Sequence, residues 1–326
     1  MTSILITAPT AKSGKTTLAL SLAHNIANNS NKSVEVFIPS SESHTGITSN
    51  LETTFQNINV HISIYPIENN ITDTIPQMIK DLQTKPDINI IESGEELSSD
   101  SISKLNTALN TQVLAITDYP QATDTEKIKE WIDTLESSFS GLIINKLPQY
   151  RKTTLNNDIL PSLESSKISV LGTIPENRNL ISASIDDISQ LLGGELIDNG
   201  APTNSLIEYF LVGTFGMDNG VEYFKTRNKA AAIIRADRPD VQMAALHSGI
   251  SCLILTNDIN PIEYVLNEAQ ELETPLILAK SSTEETMEKL EAISQYSSLN
   301  HKEKLITFSS MMESSVDLSN IVDLNN

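Results

Sequence analysis

Short apolar runs alternate with amphipathic segments along the first 195 residues of the chain. The runs have the length of buried strands, and the segments between them carry apolar residues at helical spacing. This alternation predicts a doubly wound α/β fold, a parallel sheet with helices on both faces. The predicted strands are residues 3–7, 33–38, 59–65, 87–92, 112–117, 141–145 and 168–172. The predicted helices are residues 18–23, 74–83, 124–138, 158–165 and 185–192, and residues 41–56 are predicted to be an irregular polar loop.

Turn-forming residues are concentrated at Gly193-Gly194 and over residues 198–202, which predicts a domain boundary. Beyond it, a second and smaller α/β unit is predicted from the same alternation of apolar and amphipathic segments. A chain of 326 residues is long enough for two such domains, each with its own core. The predicted division is a first domain at residues 1–196, a second domain at 203–318 and a polar tail at 319–326.

A polar turn with the sequence A-P-T-A-K-S-G-K-T-T separates the first predicted strand from the first predicted helix. Backbone N–H groups at such a turn, together with the positive end of the helix dipole, favour a bound phosphate. In a phosphate-binding loop of this form, Lys15 contacts the β- and γ-phosphates and the Thr16 hydroxyl coordinates Mg²⁺. Pro9 stands where such loops have glycine, and it has no N–H to donate, so the loop entrance is not the standard one. The candidate nucleotide-binding residues are Thr10, Ala11, Lys12, Ser13, Gly14, Lys15, Thr16 and Thr17.

Polar or turn-forming residues also stand at the ends of several other predicted strands. The carboxyl ends of parallel strands meet at one edge of a sheet, which is where ligands bind. We therefore expect these residues on the same edge as the loop, with Asn145 and Pro175 contacting the nucleotide. Glu92 is a candidate Mg²⁺ ligand together with Thr16, and the alternative is a solvent-facing residue at a strand end. The strand-end residues are Ser40, Glu92, Asp118, Asn145 and Pro175.

In the second predicted domain, Asp237 and Arg238 follow a strand and precede Pro239, which suits the first position of a helix. One interpretation is an anion or nucleotide site with Arg238 as the donor. The alternative is an internal ion pair that stabilises the turn before the helix. If the second domain senses occupancy of the first, replacing Arg238 by alanine should change nucleotide affinity or the oligomeric state.

Charge and composition exclude several classes of function. The formal net charge of −20 opposes binding to nucleic acid or to an anionic membrane surface. No apolar run is long enough to predict a membrane span, and no signal peptide is predicted, so a cytoplasmic protein is expected. The only cysteine, Cys252, lies in an apolar run and is expected to be a buried filler. None of the five histidines has a partner at metal-ligand spacing, so no zinc site is predicted.

The first 195 residues resemble the dethiobiotin synthetase-like P-loop fold. The motifs that carry this resemblance are A-P-T-A-K-S-G-K-T at 8–16, I-I-E-S-G at 90–94, G-L-I-I-N-K at 141–146 and V-L-G-T-I-P-E at 170–176. Residues 203–318 resemble the DRTGG domain through A-D-R-P-D at 236–240, A-A-L at 244–246 and L-T at 255–256. The two domains in this order resemble the N-terminal half of long phosphate acetyltransferases and their stand-alone relatives. The resemblance implies an ATP–Mg²⁺ site in the first domain.

Four departures from these families change the expected activity. Ala8 replaces the glycine that opens the family loop, and Ile38-Pro39 replaces a Lys-Pro that engages substrate in dethiobiotin synthetases. Asn257-Asp258 replaces the Gly-Gly of the DRTGG domain. No acetyltransferase domain follows residue 318, so phosphate acetyl transfer is not expected.

Three functions remain open at this point. The first is a nucleotide-binding regulatory protein, with or without weak ATP hydrolysis, whose second domain senses a small-molecule effector or mediates assembly into a dimer. The second is an ATP-dependent enzyme that activates a carboxylate, which needs a further substrate-positioning cation. Lys12 and Lys146 are the candidates for that cation, and the alternative is that both are solvated lysines. The third is a scaffold whose phosphate-binding loop is vestigial.

Overall fold

The structure is a computed structural model. It describes residues 2–39, 55, 58–65, 71–82, 85–94, 98–120, 124–135, 139–197, 200–214, 220–293, 299, 301–319 and 321. Ser40, the predicted loop at 41–56 except Phe55, and the predicted tail beyond Ser319 except Ile321 lie outside the described residues. The chain divides into two compact units, one formed by residues 1–177 and 299–326 and the other by residues 178–298.

The first unit is built on a seven-stranded parallel sheet in the order β3-β2-β4-β1-β5-β6-β7. The chain moves to one side of β1 for β2 to β4 and to the other side for β5 to β7. The turn after β1 therefore lies where the strand order reverses, which is the usual ligand site of such sheets. The strands are β1 (Thr2–Thr7), β2 (Val34–Pro39), β3 (Val60–Tyr65), β4 (Ile88–Glu92), β5 (Thr111–Asp118), β6 (Phe139–Leu147) and β7 (Val170–Pro175).

Helices cover both faces of this sheet, and the predicted doubly wound α/β fold is confirmed. The described helices of this part of the unit are α1 (Lys15–Asn29), α2 (Ile71–Asp81), α3 (Ser99–Leu109), α4 (Thr125–Asp133) and α5 (Leu160–Ser165). A 3-10 turn (Gln149–Arg151), an α-helical turn (Lys152–Thr154) and a π-helical turn (Leu155–Ile159) lead into α5. One core joins Ile75, Leu105 and Ile128 of α2, α3 and α4 to the strand residues Leu5 and Ile91. Helix α1 packs on β1, β2 and β4. Strands β2 and β4 are buried along their whole length, as expected between two helical layers.

The second unit has a five-stranded sheet in the order β11-β12-β13-β14-β9, parallel except for β9. Its elements are α6 (Arg178–Ile181), β8 (Ala183–Ser184), α7 (Ile185–Leu192), β9 (Glu195–Ile197), β10 (Leu206–Ile207), β11 (Tyr209–Val212), α8 (Gly220–Phe224), β12 (Ala230–Arg235), α9 (Pro239–His247), β13 (Cys252–Thr256), α10 (Glu263–Glu271), β14 (Leu276–Leu278) and α11 (Thr283–Glu291). Helices α8, α9 and α10 share a core with one face of the sheet, and α7 and α11 share a core with the other. Cys252 lies in the second core, where burial raises the pKa of its thiol.

The boundary between the units is not at residues 194–203, where the sequence predicts it. Gly193 has a φ of 60° and ends α7, with its N–H bonded to the Gln190 carbonyl at 3.1 Å. Strand β9 then pairs with β14, so α7 and β9 both belong to the second unit. The two glycines therefore form a helix C-terminus inside the unit, for which left-handed glycine is well suited.

The last helix, α12 (Lys302–Ser315), belongs to the first unit, although the sequence assigns it to the second. It packs against α1 with Leu305, Phe308 and Met312 buried. The Asn25 side chain donates a hydrogen bond to the Ser309 carbonyl at 3.0 Å. The chain after α12 forms a bridge to Gly172 on β7, where an added Cβ would collide with the backbone of the helix end.

Candidate functional site

The turn between β1 and α1 has two residues in the left-handed region and closes on itself through a hydrogen bond. Gly14 has a φ of 99° and Lys12 a φ of 58°, both in the left-handed region. The Ser13 hydroxyl donates to the Thr10 carbonyl at 2.9 Å, which closes the loop on itself. Helix α1 begins at Lys15 with no acidic residue in its first turn. The first N–H groups of the helix therefore meet no competing carboxylate on their own helix.

Lys15 is buried and its ammonium group lies against the strand beside the loop. Its Nζ donates a hydrogen bond to the Gly94 carbonyl at 3.1 Å, just beyond the end of β4. Only 8% of the Lys15 residue surface is exposed. The loop lysine is thus held over the edge of the sheet, as the sequence predicts.

Thr16 and Glu92 form the centre of this site. The Thr16 hydroxyl donates to Glu92 Oε1 at 2.8 Å, and Glu92 is only 3% exposed. The second carboxylate oxygen, Oε2, is buried and has no hydrogen-bond partner among the described residues. Burial raises the pKa of Glu92 to about 7, and the hydrogen bond from Thr16 and the charge of Lys15 offset only part of that rise.

This pair of side chains fits Mg²⁺. A hydroxyl and a carboxylate are hard oxygen ligands of the kind that Mg²⁺ takes, usually with water and phosphate oxygens completing its shell. The unpartnered Oε2 is an oxygen that a cation would satisfy, and a positive charge beside it would favour the ionised carboxylate. Glu92 is therefore not the solvent-facing residue of the alternative interpretation.

A second layer of hydroxyl groups holds the end of β4. The Tyr65 hydroxyl donates to the Glu92 carbonyl at 2.6 Å, and burial together with the nearby Glu92 charge raises the pKa of Tyr65. The Ser93 hydroxyl donates to Thr7 Oγ1 on β1 at 3.2 Å. These contacts fix the backbone from which Glu92 projects. The sequence analysis missed Tyr65, although it ends a predicted strand.

Asn145 and Lys146 hold the loop from the other side of β1. Asn145 Nδ2 donates to the Ser13 carbonyl at 3.0 Å, and Lys146 Nζ donates to the Lys12 carbonyl at 2.7 Å. The Lys146 ammonium also pairs with Asp118 Oδ2 at 3.0 Å. We call Asn145, Lys146 and Asp118 the loop clamp.

The loop clamp explains why position 14 is glycine and shows what Asn145 and Lys146 contact within the chain. A Cβ on Gly14 would lie 2.7 Å from Asn145 Nδ2, closer than real Cβ atoms approach. The Asn145 amide is committed to the loop backbone on one side and to the Lys146 N–H on the other. The Lys146 ammonium likewise holds the loop, through the Lys12 carbonyl and Asp118.

The remaining predicted residues are not in the group formed by Lys15, Thr16 and Glu92. Ala11 and Lys12 are exposed at the top of the loop, and Thr17 is half-buried in the first turn of α1. Pro175 ends β7, which is separated from β1 by β5 and β6. Pro175 is therefore at the predicted edge of the sheet but toward its outer end.

The Asp237-Arg238 turn is occupied by ion pairs between near neighbours. Arg235 pairs with Asp237 through Nε at 3.0 Å and Nη2 at 2.5 Å. Arg238 pairs with Asp240 through Nε at 3.0 Å and Nη2 at 2.8 Å, and this hydrogen bonding lowers the pKa of Asp240. The internal ion-pair interpretation of this turn therefore matches the geometry better than an open anion site.

The residues that replace the DRTGG glycines adopt the conformation that glycine favours. Asn257 has a φ of 76° and Asp258 a φ of 50°. Asparagine and aspartate are the non-glycine residues that tolerate this region best. The Asn257 N–H donates to the Ser281 carbonyl at 3.0 Å, so the tight turn is kept without glycine.

Within the described ranges, no group of three or more His, Cys, Asp or Glu side chains is arranged to hold a metal ion. Among the helices of those same ranges, none combines the length and apolar character that crossing a membrane requires.

Comparison with known families assigns part of the second unit. Residues 187–293 match the DRTGG domain, which confirms the predicted resemblance for that segment. The match begins inside α7, before the boundary that the sequence predicts and within the second unit of the structure. The resemblance of the first unit to dethiobiotin synthetases and to phosphate acetyltransferases stays a prediction.

Solved structures give coarse likenesses only. MinD from Aquifex aeolicus is 16% identical, with 56% of this chain and 84% of that chain covered and a TM-score of 0.41. MinD from Pyrococcus horikoshii OT3, in complex with Mg-ADP, is 17% identical with 55% and 83% covered and a TM-score of 0.38. The CBS and DRTGG regulatory region of Clostridium perfringens pyrophosphatase, in complex with diadenosine tetraphosphate, is 13% identical with 48% and 74% covered and a TM-score of 0.33.

Proposed function

We propose that the protein binds ATP with Mg²⁺ at the loop between β1 and α1 and acts as a nucleotide-binding regulatory protein. The observation that carries this proposal is the Thr16–Glu92 hydrogen bond beside Lys15, with Glu92 Oε2 buried and unpartnered among the described residues. A buried polar atom without a partner is costly, and a bound cation would remove that cost.

The roles of the chain's own residues follow from their positions. The N–H groups at the start of α1 and the Lys15 ammonium would bind the β- and γ-phosphates. Thr16 and Glu92 would hold the Mg²⁺, which neutralises phosphate charge when bound. The loop clamp keeps the loop backbone in place before the nucleotide arrives, which lowers the ordering cost of binding.

The second unit would serve as the regulatory part. A small-molecule effector or a second copy of the chain that binds this unit would be coupled to nucleotide binding. Such coupling is reciprocal and typically amounts to about 1–3 kcal/mol. A closed dimer is the commonest form of assembly for a protein of this kind.

Calorimetric titration with ATP and Mg²⁺ tests the nucleotide site. We expect Lys15→Ala to weaken binding by about 1.5–3 kcal/mol, the typical size of a hydrogen bond to a charged group. The matched control is Lys104→Ala, because Lys104 is an exposed lysine that pairs with Asp100 on the same helix. Unchanged ATP affinity in a folded Lys15→Ala protein would contradict the proposal.

Measuring ATP turnover with and without small carboxylic acids separates the regulatory protein from the carboxylate-activating enzyme. The regulatory protein should show little or no turnover, and small carboxylic acids should not change its rate. An increase in ATP hydrolysis that depends on the acid would favour the enzyme instead.

A further inference from the structure

The arginines of the chain are unevenly distributed. The sequence contains five, and four of them lie in the second unit, between residues 178 and 238. Arg235 and Arg238 are each paired with an aspartate two residues away. Arg178 and Arg227 have no carboxylate partner among the described residues, in a chain with a formal net charge of −20.

Arg178 and Arg227 converge on one aromatic ring. The guanidinium carbon of Arg178 lies 4.6 Å from the centroid of the Tyr209 ring, and that of Arg227 lies 5.3 Å from it. Both arginines are exposed and Tyr209 is half-buried. Two cations are therefore held around one ring at the surface of the unit.

Glu208, which precedes Tyr209 in the chain, does not neutralise the two arginines. The Glu208 carboxylate pairs with Lys229 Nζ at 3.4 Å, and Arg178 Nη1 contacts only the backbone carbonyl of Glu208 at 3.5 Å. Lys229 adds a third positive charge, so the local balance of these four side chains is positive. This sign is opposite to that of the whole chain.

The backbone beneath this cluster is fixed. The N–H groups of Glu208 and Tyr209 both donate to the Lys229 carbonyl, at 2.8 and 3.3 Å. Tyr209 then starts strand β11, in register with Ala230 of β12. The ring is thus a rigid support for the two arginines rather than part of a loop that must be ordered on binding.

Both guanidinium carbons lie within 5.3 Å of the centroid of one ring, and the two like charges repel each other. Stacking on the aromatic ring compensates for only part of that repulsion. An anion that contacts both guanidinium groups would remove the repulsion. Guanidinium is also the cation whose planar donor fork matches phosphate oxygens. A ligand with at least two phosphate groups can contact both arginines around one ring.

We propose that Arg178, Tyr209 and Arg227 form a binding site for a small polyanion with two or more phosphate groups, either a nucleotide or an inorganic polyphosphate. The site is assigned to the second unit and does not depend on nucleotide binding at Lys15. It takes the place of Asp237-Arg238 as the candidate effector site, because those two residues are already paired.

The test is titration of the full chain with pyrophosphate, tripolyphosphate and ATP in the absence of Mg²⁺, followed by calorimetry. The Lys15→Ala background, in the absence of Mg²⁺, weakens binding at the phosphate-binding loop, and all variants are compared within this background, so a failure of the loop proposal does not affect the result. We expect the double variant Arg178→Ala/Arg227→Ala to bind the probes at least tenfold more weakly than this background. Arg178→Lys/Arg227→Lys, which keeps the charge but not the fork, should lose less.

Arg151→Ala is the matched control. Arg151 also stacks on a tyrosine, Tyr150, at 5.4 Å, but it lies in the first unit and has no second arginine beside it. Its removal should leave binding of the probes unchanged. An equal loss in this control would show a general charge effect and would overturn the site.

The three probes separate the two sources of phosphate. Equal binding of tripolyphosphate and ATP supports a site for polyphosphate itself, and binding of ATP alone supports a nucleotide site. No binding of any probe at millimolar concentration, or the same affinity in the folded double variant, would overturn the proposal. Arg178→Lys/Arg227→Lys serves as the second variant if the alanine protein does not fold.

Discussion

Charged side chains stand at the carboxyl ends of strands in both units, but they differ in burial and in how they are paired. In the first unit, Thr16 and Glu92 are 76 positions apart and one oxygen of the buried carboxylate is left without a partner among the described residues. In the second unit, Arg238 pairs with Asp240 two positions away, through two hydrogen bonds and with both side chains partly exposed. The comparison shows that a polar residue at a strand end is not by itself evidence of a ligand site.

The energetic difference follows from burial. A buried carboxylate is costly unless it is fully paired, so an edge that retains one points to a ligand that completes the pairing. An exposed pair between near neighbours contributes little to stability and leaves nothing for a ligand to satisfy. In the second unit, Arg238 is thus fully paired with a neighbour in the chain. In the first unit, Glu92 Oε2 is left without a hydrogen-bond partner among the described residues.

Of the variants that test this difference between the two units, Glu92→Gln is expected to change the unfolding free energy most. The pKa of Glu92 is raised from an ordinary 4.5 to about 7. Between these two pH values the folded protein holds a proton on Glu92 that the unfolded chain has lost. The stabilisation from this group is present below pH 4.5 and is lost as the pH rises through 7. Without Mg²⁺, the glutamine variant should gain about 1–3 kcal/mol in unfolding free energy over the wild type at pH 8, and little at pH 4.

Denaturant unfolding at several pH values measures this effect, and Glu126→Gln, an exposed glutamate of α4, is the control. Addition of Mg²⁺ and ATP should stabilise the wild type and not the Glu92→Gln protein. A pH dependence that is the same in both proteins would mean that Glu92 does not titrate in this range.

Lys146→Ala should have a smaller effect, because the Lys146 side chain is 46% exposed and water can replace part of its contacts. We expect a loss of about 1 kcal/mol in unfolding free energy and a severalfold loss in ATP affinity, since the loop is less well held. Lys167→Ala is the matched control for the backbone, because Lys167 has a left-handed φ of 58° and Lys146 one of 54°. Equal effects of the two variants on ATP affinity would exclude a role for the loop clamp.

Arg238→Ala is expected to have the smallest effect. Removing its ion pair with Asp240 should cost less than about 1 kcal/mol, as for other exposed pairs. ATP affinity and the mass measured by light scattering should not change, and Arg235→Ala should behave in the same way. A change in ATP affinity confined to Arg238→Ala would restore the sequence-based view that this residue couples the second unit to the nucleotide.

Most of the first sheet could be predicted because its strands are local features. The predicted strand at 112–117 appears as Thr111–Asp118, and the one at 33–38 as Val34–Pro39. Helix α3 escaped prediction, since its sequence S-D-S-I-S-K-L-N-T-A-L is rich in residues with weak helix propensity. It forms because Ile102 and Leu105 are buried against the sheet.

Helix α12 also escaped prediction, and for a different reason. Its apolar residues are spread among serines, lysines and glutamates, so its own pattern is weak. The surface that it covers belongs to α1, nearly three hundred positions earlier in the chain. No local pattern indicates that the last helix returns to the first unit.

The sequence by itself determined the strand–loop–helix at the phosphate-binding loop and the order along the chain of the seven strands of the first sheet. These follow from apolar spacing and turn chemistry, which act between residues close in sequence. Only the tertiary structure decided that Glu92 lies beside Thr16, that Lys146 holds the Lys12 carbonyl and that Arg178 and Arg227 share one ring. Those contacts join distant segments, and they exist because burial of the sheets brings the segments together.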